Sequence, residues 1–267
     1  MLTSNGYVLD PARVGALEPV PEHERHDRDA LWERLRRHGY LYLRGHLDPA
    51  AVNAFRAFYL DRLGVGGPAE LPPDRLRQVL FKEIVPGPEY AAFCSQEAVR
   101  GWYAWLLGGA PFLHRRKIIR HVKPGQRGVG TATQAHYDLV YLREGTDQVL
   151  SSWIPLGDCP LSRGGLVYLE GSHHAVRAKE AAGLLRHPAA SITADLPALA
   201  EEYDSRWLVA DYASGDMVVH SAYLVHAALD NRDPDGVVRL STDIRYQSAA
   251  QPIDWRWQHD WHDRDGL

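Results

Sequence analysis

Cysteine is almost missing from this chain: Cys94 and Cys159 are the only two among 267 residues. Two thiols are too few for a disulfide scaffold or a cysteine-rich zinc site, so a reducing, cytoplasmic setting is expected. Lysine is scarce too, confined to Lys82, Lys117, Lys123 and Lys179, with arginine supplying the rest of the basic charge. No basic surplus exists, because 30 Lys and Arg face 34 Asp and Glu for a net charge of −4. A chain with that balance is not built to neutralise phosphates, and no nucleic-acid partner is expected. Long apolar runs are also absent. The longest, Trp102 to Leu113, is interrupted by Gly108, Gly109 and Pro111, and a spanning helix needs ~20 residues. The opening Met1-Leu2-Thr3-Ser4-Asn5-Gly6 has neither the basic nor the apolar segment of a signal peptide. No membrane partner is expected.

What the chain does have is 14 histidines and 8 tryptophans, with 45% hydrophobic residues overall. Its first part reads as helical. Asp27 caps a helix with Leu31, Trp32 and Leu35 on its apolar side and Gly39 as its stop, and Tyr40–Arg44 follows as a strand. Asp48-Pro49 starts another helix, with Val52, Phe55, Phe58 and Tyr59 facing inward. A Gly- and Pro-rich loop over 64–73 precedes helical patterns at 74–84 and 97–107. From Arg115 onward the pattern changes to short strands, at 117–122, 135–142, 149–156, 166–169, 207–209, 217–220 and 237–246. An Ala- and Leu-rich, helical insertion at about 175–205 interrupts them. Helices first and strands after give an α+β fold with a jelly-roll core. The expected organisation is one domain over 1–267: a helical part to about 110, a β-core over about 111–247 and a tail over 248–267.

His136-Tyr137-Asp138 is the first candidate for chemistry. On a strand, residues two apart share a face, so the imidazole and the carboxylate converge while Tyr137 points away. A second histidine from a distant strand would complete the two-His, one-carboxylate set of non-haem Fe(II) oxygenases, leaving positions open for a cosubstrate and O2. About one His-x-Asp is expected by chance in such a chain, and His46-Leu47-Asp48 is a second copy, with Asp48 already engaged as a helix cap. Two histidines could be the third ligand. His220 continues the apolar run Met217-Val218-Val219 and reads as a core or pocket residue, whereas His226 stands at the turn into the last strand and is favoured. On an unbroken strand the two would lie about 20 Å apart. Arg239-Leu240-Ser241 follows on that last strand, placing a guanidinium fork and a hydroxyl on one face for a carboxylate.

These motifs occur in one order with Ser152–Leu156, Gly165–His173 and Gly215–His220. The series, over roughly residues 27–247, resembles the phytanoyl-CoA dioxygenase family of Fe(II)/2-oxoglutarate-dependent oxygenases. The resemblance implies a double-stranded β-helix (jelly-roll or cupin-like) core flanked by N-terminal helices. It implies Fe(II) held by His136, Asp138 and His226, with Arg239 pairing with the distal carboxylate of 2-oxoglutarate and Ser241 beside it. His121, Thr133 and Trp153 are further candidate cosubstrate contacts. The implied reaction consumes O2 and 2-oxoglutarate, releases succinate and CO2, and takes a hydrogen atom from a substrate. Related halogenases replace the carboxylate with a small residue, so Asp138 favours hydroxylation or another oxidation.

No adenosine or phosphate site marks a CoA thioester substrate. The expected substrate is a small molecule, a secondary metabolite of saccharide or polycyclic type, which is hydroxylated or oxidatively cyclised. Trp255-Arg256-Trp257-Gln258-His259-Asp260-Trp261 either stacks on that substrate or docks onto the core. A monomer or weak homodimer is expected. Two other functions keep some of these features: a cupin-like isomerase or epimerase without 2-oxoglutarate, which has no use for Arg239-x-Ser241, and a non-catalytic sugar-binding jelly roll, which binds no iron.

Overall fold

The computed structural model describes residues 1–126, 128–184 and 191–263. The chain opens with a small hairpin, β1 (Thr3–Ser4) and β2 (Tyr7–Val8), and then β3 (Val14–Ala16). Helix α1 (Arg28–His38) starts where the Asp27 carboxylate accepts from the Asp29 and Ala30 N–H groups. It ends at Gly39, whose φ of 79° and contact with the His173 ring leave no room for a side chain. Strand β4 (Tyr40–Leu43) leads to α2 (Pro49–Leu63), capped by Asp48. Helix α3 (Pro73–Val79) runs into a π turn at Leu80–Ile84, and α4 (Pro88–Cys94) and α5 (Glu97–Leu107) complete the helical layer.

The β-core follows: β5 (Pro111–Leu113), β6 (Ile118–Val122), β7 (Leu150–Pro155) and β8 (Leu166–Leu169). After α6 (Ser172–Ala181) and α7 (Leu196–Glu202) come β9 (Trp207–Val209), β10 (Met217–Ser221), β11 (His226–Ala228) and β12 (Arg239–Ser248). The helical insertion expected at about 175–205 is thus α6 and α7, while residues 185–190 between them lie outside the described residues.

Two sheets carry the architecture. One runs β4-β10-β7-β12, with β12 also pairing β5 and β6; the other runs β11-β8-β9-β3. Alternation along the strands gives each sheet two buried faces. Tyr40, Tyr42, Trp153 and Val218 of the first sheet meet Leu166, Tyr168, Leu208 and Ala228 of the second in one core. The first sheet's outer residues, among them Leu41, Ile154, Val219 and Ile244, pack on Leu31, Phe55, Tyr59 and Tyr103 of the helices. The second sheet's outer residues Val167, Leu169 and Trp207 are covered by Val176, Leu196 and Leu199 of α6 and α7. The polar exception is the inner side of β12, where Arg239, Ser241, Asp243 and Arg245 face a cavity rather than apolar neighbours.

Candidate active site

His136, Asp138 and His226 come together at the mouth between the sheets. His136 lies in a short segment bridged to His226 at the start of β11, and Asp138 opens a 3-10 turn over Asp138–Val140. A full strand over 135–142 does not form. Only Ala135 and His136 make bridges, because the backbone of Val140, Tyr141 and Leu142 turns back onto Tyr137 and Asp138. The shared face survives because it needs only one extended residue between the ligands. Tyr137 has φ −124° and ψ 145°, and its ring packs away in the apolar layer under α6 and α7.

Ligand-type atoms of the three side chains all lie within 4.8 Å of one another. Both imidazoles are oriented for ligation, since His136 Nδ1 meets the Gln134 carbonyl at 2.9 Å and His226 Nδ1 the Leu224 carbonyl at 3.0 Å. A carbonyl only accepts, so each Nδ1 carries the hydrogen and each Nε2 keeps its lone pair toward Asp138. Burial lowers the pKa of both rings and holds His226 well below the usual range, keeping them neutral. Burial alone would raise Asp138; the Arg245 charge, helped by His220 and His226, overcomes it and holds the carboxyl well below its ordinary value. Arg245 Nη2 donates to Asp138 Oδ1 at 3.1 Å, and the Ser151 hydroxyl donates to Oδ2.

His220 is a buried neighbour of this group, with Nε2 3.5 Å from Asp138 Oδ2. Its separation from His226 differs from the unbroken-strand expectation. The chain leaves β10 after Ser221, turns and enters the opposite sheet as β11, bringing the two ring centroids to 4.4 Å.

Arg239 is buried on β12, and its Nη1 donates to Ser241 Oγ at 3.2 Å while its Nε has no partner. A buried guanidinium satisfied by one neutral hydroxyl is suited to receive a carboxylate. Arg239, Ser241, Thr133 and Trp153 line the same cavity as His136 and His226, of about 310 Å³. His121 does not line the metal cavity, though it borders the adjoining groove with Thr133 and Arg239. Strand register sets His121 opposite Leu240 and Arg120 opposite Ser241, so His121 faces the helices, where its Nδ1 meets the Tyr59 hydroxyl at 2.7 Å. Arg120 takes the inward place. It is accessible to water because it borders the cavity, although protein surrounds it and burial lowers its pKa.

Arg120 and Arg245 carry no motif of their own, but a signal for Arg245 is present in the sequence. Counting by twos from Arg239 along β12 reaches Ser241, Asp243 and Arg245, all on the cavity side. The tryptophan-rich tail both docks and lines the site. Trp257 is buried, with the guanidinium groups of Arg116 and Arg245 at 4.7 and 4.6 Å from its ring, and Trp261 also borders the cavity. Trp255 stays exposed.

A two-sheet core presenting two neutral imidazoles and an ionised carboxylate beside an arginine-backed cleft defines a mononuclear metal enzyme of the non-haem oxygenase class. The comparisons give the family: the model of phytanoyl-CoA dioxygenase (PhyH) matches residues 35–239, and the chain belongs to that family. It is an Fe(II)/2-oxoglutarate-dependent dioxygenase. The chain is 26% identical over 235 residues to the 1-deoxypentalenic acid 11-beta-hydroxylase of Streptomyces exfoliatus, covering 84% of this chain and 82% of the relative. Its fold is similar to that of the epimerase SnoN in complex with Fe3+, alpha ketoglutarate and nogalamycin RO, with TM-score 0.61, 20% identity and 85% of each chain covered. The alpha ketoglutarate-dependent carbocyclase SnoK from nogalamycin biosynthesis is also similar, with TM-score 0.54, 24% identity and 89% of each chain covered. Among the described residues no helix is long and apolar enough to cross a membrane.

Proposed function

We propose that the chain hydroxylates, or oxidatively cyclises or epimerises, a small secondary metabolite in the cavity between the sheets. The similar proteins support this range, being named hydroxylase, epimerase and carbocyclase. In this reading the two sheets are the halves of a double-stranded β-helix, and the whole chain works as one catalytic domain. The free, buried state of Cys94 and Cys159 supports a cytoplasmic setting.

His136, Asp138 and His226 would hold the iron. The observation that carries this is the pair of Nδ1–carbonyl hydrogen bonds, which present both Nε2 lone pairs to the space beside an ionised Asp138. The unpartnered Nε of buried Arg239, next to the Ser241 hydroxyl, fits the distal carboxylate of 2-oxoglutarate, with Thr133 and Trp153 on the surrounding wall. When bound, iron and 2-oxoglutarate supply the oxidising power that removes a hydrogen atom from the substrate, with release of succinate and CO2. The chain's own part is positional. Arg245 and Ser151 hold Asp138, the two backbone carbonyls fix the imidazole tautomers, and Tyr141, Trp153 and Trp257 wall the cavity against bulk water.

The test is anaerobic titration with Fe(II) and 2-oxoglutarate, followed by the visible charge-transfer absorption of the chelate. The intact protein should show the band, and Arg239→Ala should lose it while still binding metal. Absence of the band in the intact protein would sink the proposal. Its persistence in Arg239→Ala would remove the assigned role of Arg239.

A further inference from the structure

Among the described residues the charges around the cavity do not balance, and the imbalance indicates what the cavity is shaped to receive. Four arginines line it: Arg116, Arg120, Arg239 and Arg245. Arg245 is paired with Asp138. Arg239 is assigned above to the cosubstrate. Arg116 lies against the Trp257 ring and has further contacts. Arg120 has no hydrogen bond or ion pair with any described residue; its guanidinium only approaches the Trp261 ring, at 6.0 Å. Two other carboxylates reach the cavity. Asp263 is held by Arg77. Asp243 makes no ion pair with Arg120; burial raises its pKa, against the opposing charges of Arg245 and Arg120.

Arg120 has no ion pair among the described residues, and its guanidinium, open to the water of the cavity, keeps its proton. A ligand that displaces this water must supply an anion in its place or leave the charge unpaired. Arg120 is well placed for one. It shares the inner face of its sheet with Ser241, and it borders both the metal cavity and an adjoining groove that also includes Thr133, Arg239 and Trp261. A ligand reaching from the metal cluster toward that groove would have its end at Arg120, near the Trp261 ring.

We propose that the substrate oxidised at this site carries a carboxylate or comparable oxyanion that pairs with Arg120. This rests on the oxygenase reading above, and it deepens that reading by naming the substrate's charge. Arg120 then sets specificity: it rejects a neutral analogue of the same shape because the guanidinium would be left unpaired.

Calorimetric titration of the Fe(II)- and 2-oxoglutarate-loaded protein under argon tests it, using matched acid and primary-amide pairs. The probes are 1-naphthoic, adamantane-1-carboxylic and decanoic acids with their amides. Retention of the visible absorption during titration shows that the acid has not displaced 2-oxoglutarate. At least one acid should bind about tenfold or more tighter than its amide, as expected for a charge-assisted contact. Arg120→Gln should abolish that preference with the absorption retained, and Arg120→Lys should restore part of it. Equal binding, or no binding, of acid and amide across all three pairs overturns the proposal. So does an Arg120→Gln protein that keeps the preference, or one that loses 2-oxoglutarate instead, which would make Arg120 a cosubstrate contact. Failure of the oxygenase reading is a separate result, seen as no visible absorption in the intact protein before any probe is added.

Discussion

Arg245 shows how much of a metal site lies outside its ligands. Asp138 is fully buried, and a buried carboxylate is tolerable only with partners; here these are Arg245, Ser151 and the nearby His220. Arg245 is itself only partly satisfied, since its Nε and Nη1 are buried without partners and its plane rests near Trp257. Its role is therefore to orient Asp138 and keep it charged rather than to serve its own hydrogen bonding. Replacing it by methionine keeps most of the packing against Trp257 and removes the donor. The expected result for Arg245→Met is a loss of Fe(II) affinity of about 10–100-fold, the usual cost of removing a partner behind a metal ligand. Competition titration with a chelator measures it, and an affinity equal to that of the parent would show that Asp138 needs no help from Arg245.

At the scale of elements, the tail over 254–263 behaves as a strap across the cavity mouth. Trp257 and Trp261 line the cavity from above, and two arginine forks hold the strap down. Arg115 grips Asp260 at 3.0 and 2.8 Å, and Arg77 on α3 grips Asp263 with both nitrogens. Both clamps are near the surface, so their loss should loosen the strap without unfolding the core. In Asp260→Asn/Asp263→Asn, trypsin should cut after Arg256 several-fold faster than in the parent, with an unchanged cleavage pattern elsewhere. Unchanged cleavage at Arg256 would mean that Trp257 packing alone secures the strap. Elements with local chemistry were legible in the sequence: Asp27 and Gly39 bound α1, Asp48-Pro49 opens α2, and the alternation of β12 put Arg239 and Ser241 on one face. Elements that exist only through pairing were not. β3 and β5 are three residues each, and they are fixed by β9 and β12, far along the chain. Which of His121 and Arg120 faces inward is not legible for the same reason, because a one-residue shift reverses the facing side chain and only the register with β12 settles it. The metal set was legible because its spacing needs a single extended residue, Tyr137, and not a whole strand.

For the molecule as a whole, two histidines outside the metal cluster sit at the seams between the helical layer and the core. His46, just after β4, meets the Ala98 carbonyl of α5 through Nε2 at 2.9 Å and stands edge-on to Trp102. His173 on α6 meets the Arg36 carbonyl of α1 through Nε2 at 3.1 Å, and its Nδ1 is buried with no partner. In each ring the Nε2 must carry the hydrogen, since a carbonyl only accepts; adding a proton to Nδ1 would place a charge in a dry seam. Burial accordingly lowers both pKa values from the ordinary 6.5 to about 4. The unfolded chain, with these groups near 6.5, binds more protons than the folded one between pH 6.5 and about 4. Stability from this source is therefore complete above about pH 6.5, falls as the pH drops through that window, and levels off below about pH 4. Burial also lowers His38, His114, His121, His136 and His226, which add to the same trend, so the seam contribution has to be isolated by comparison. His46→Gln/His173→Gln keeps an N–H donor for each carbonyl and cannot titrate. Thermal melts of the metal-free proteins between about pH 7 and 4.5 should show Tm falling less steeply in this variant than in the parent. Parallel Tm curves would place the acid sensitivity outside these two seams.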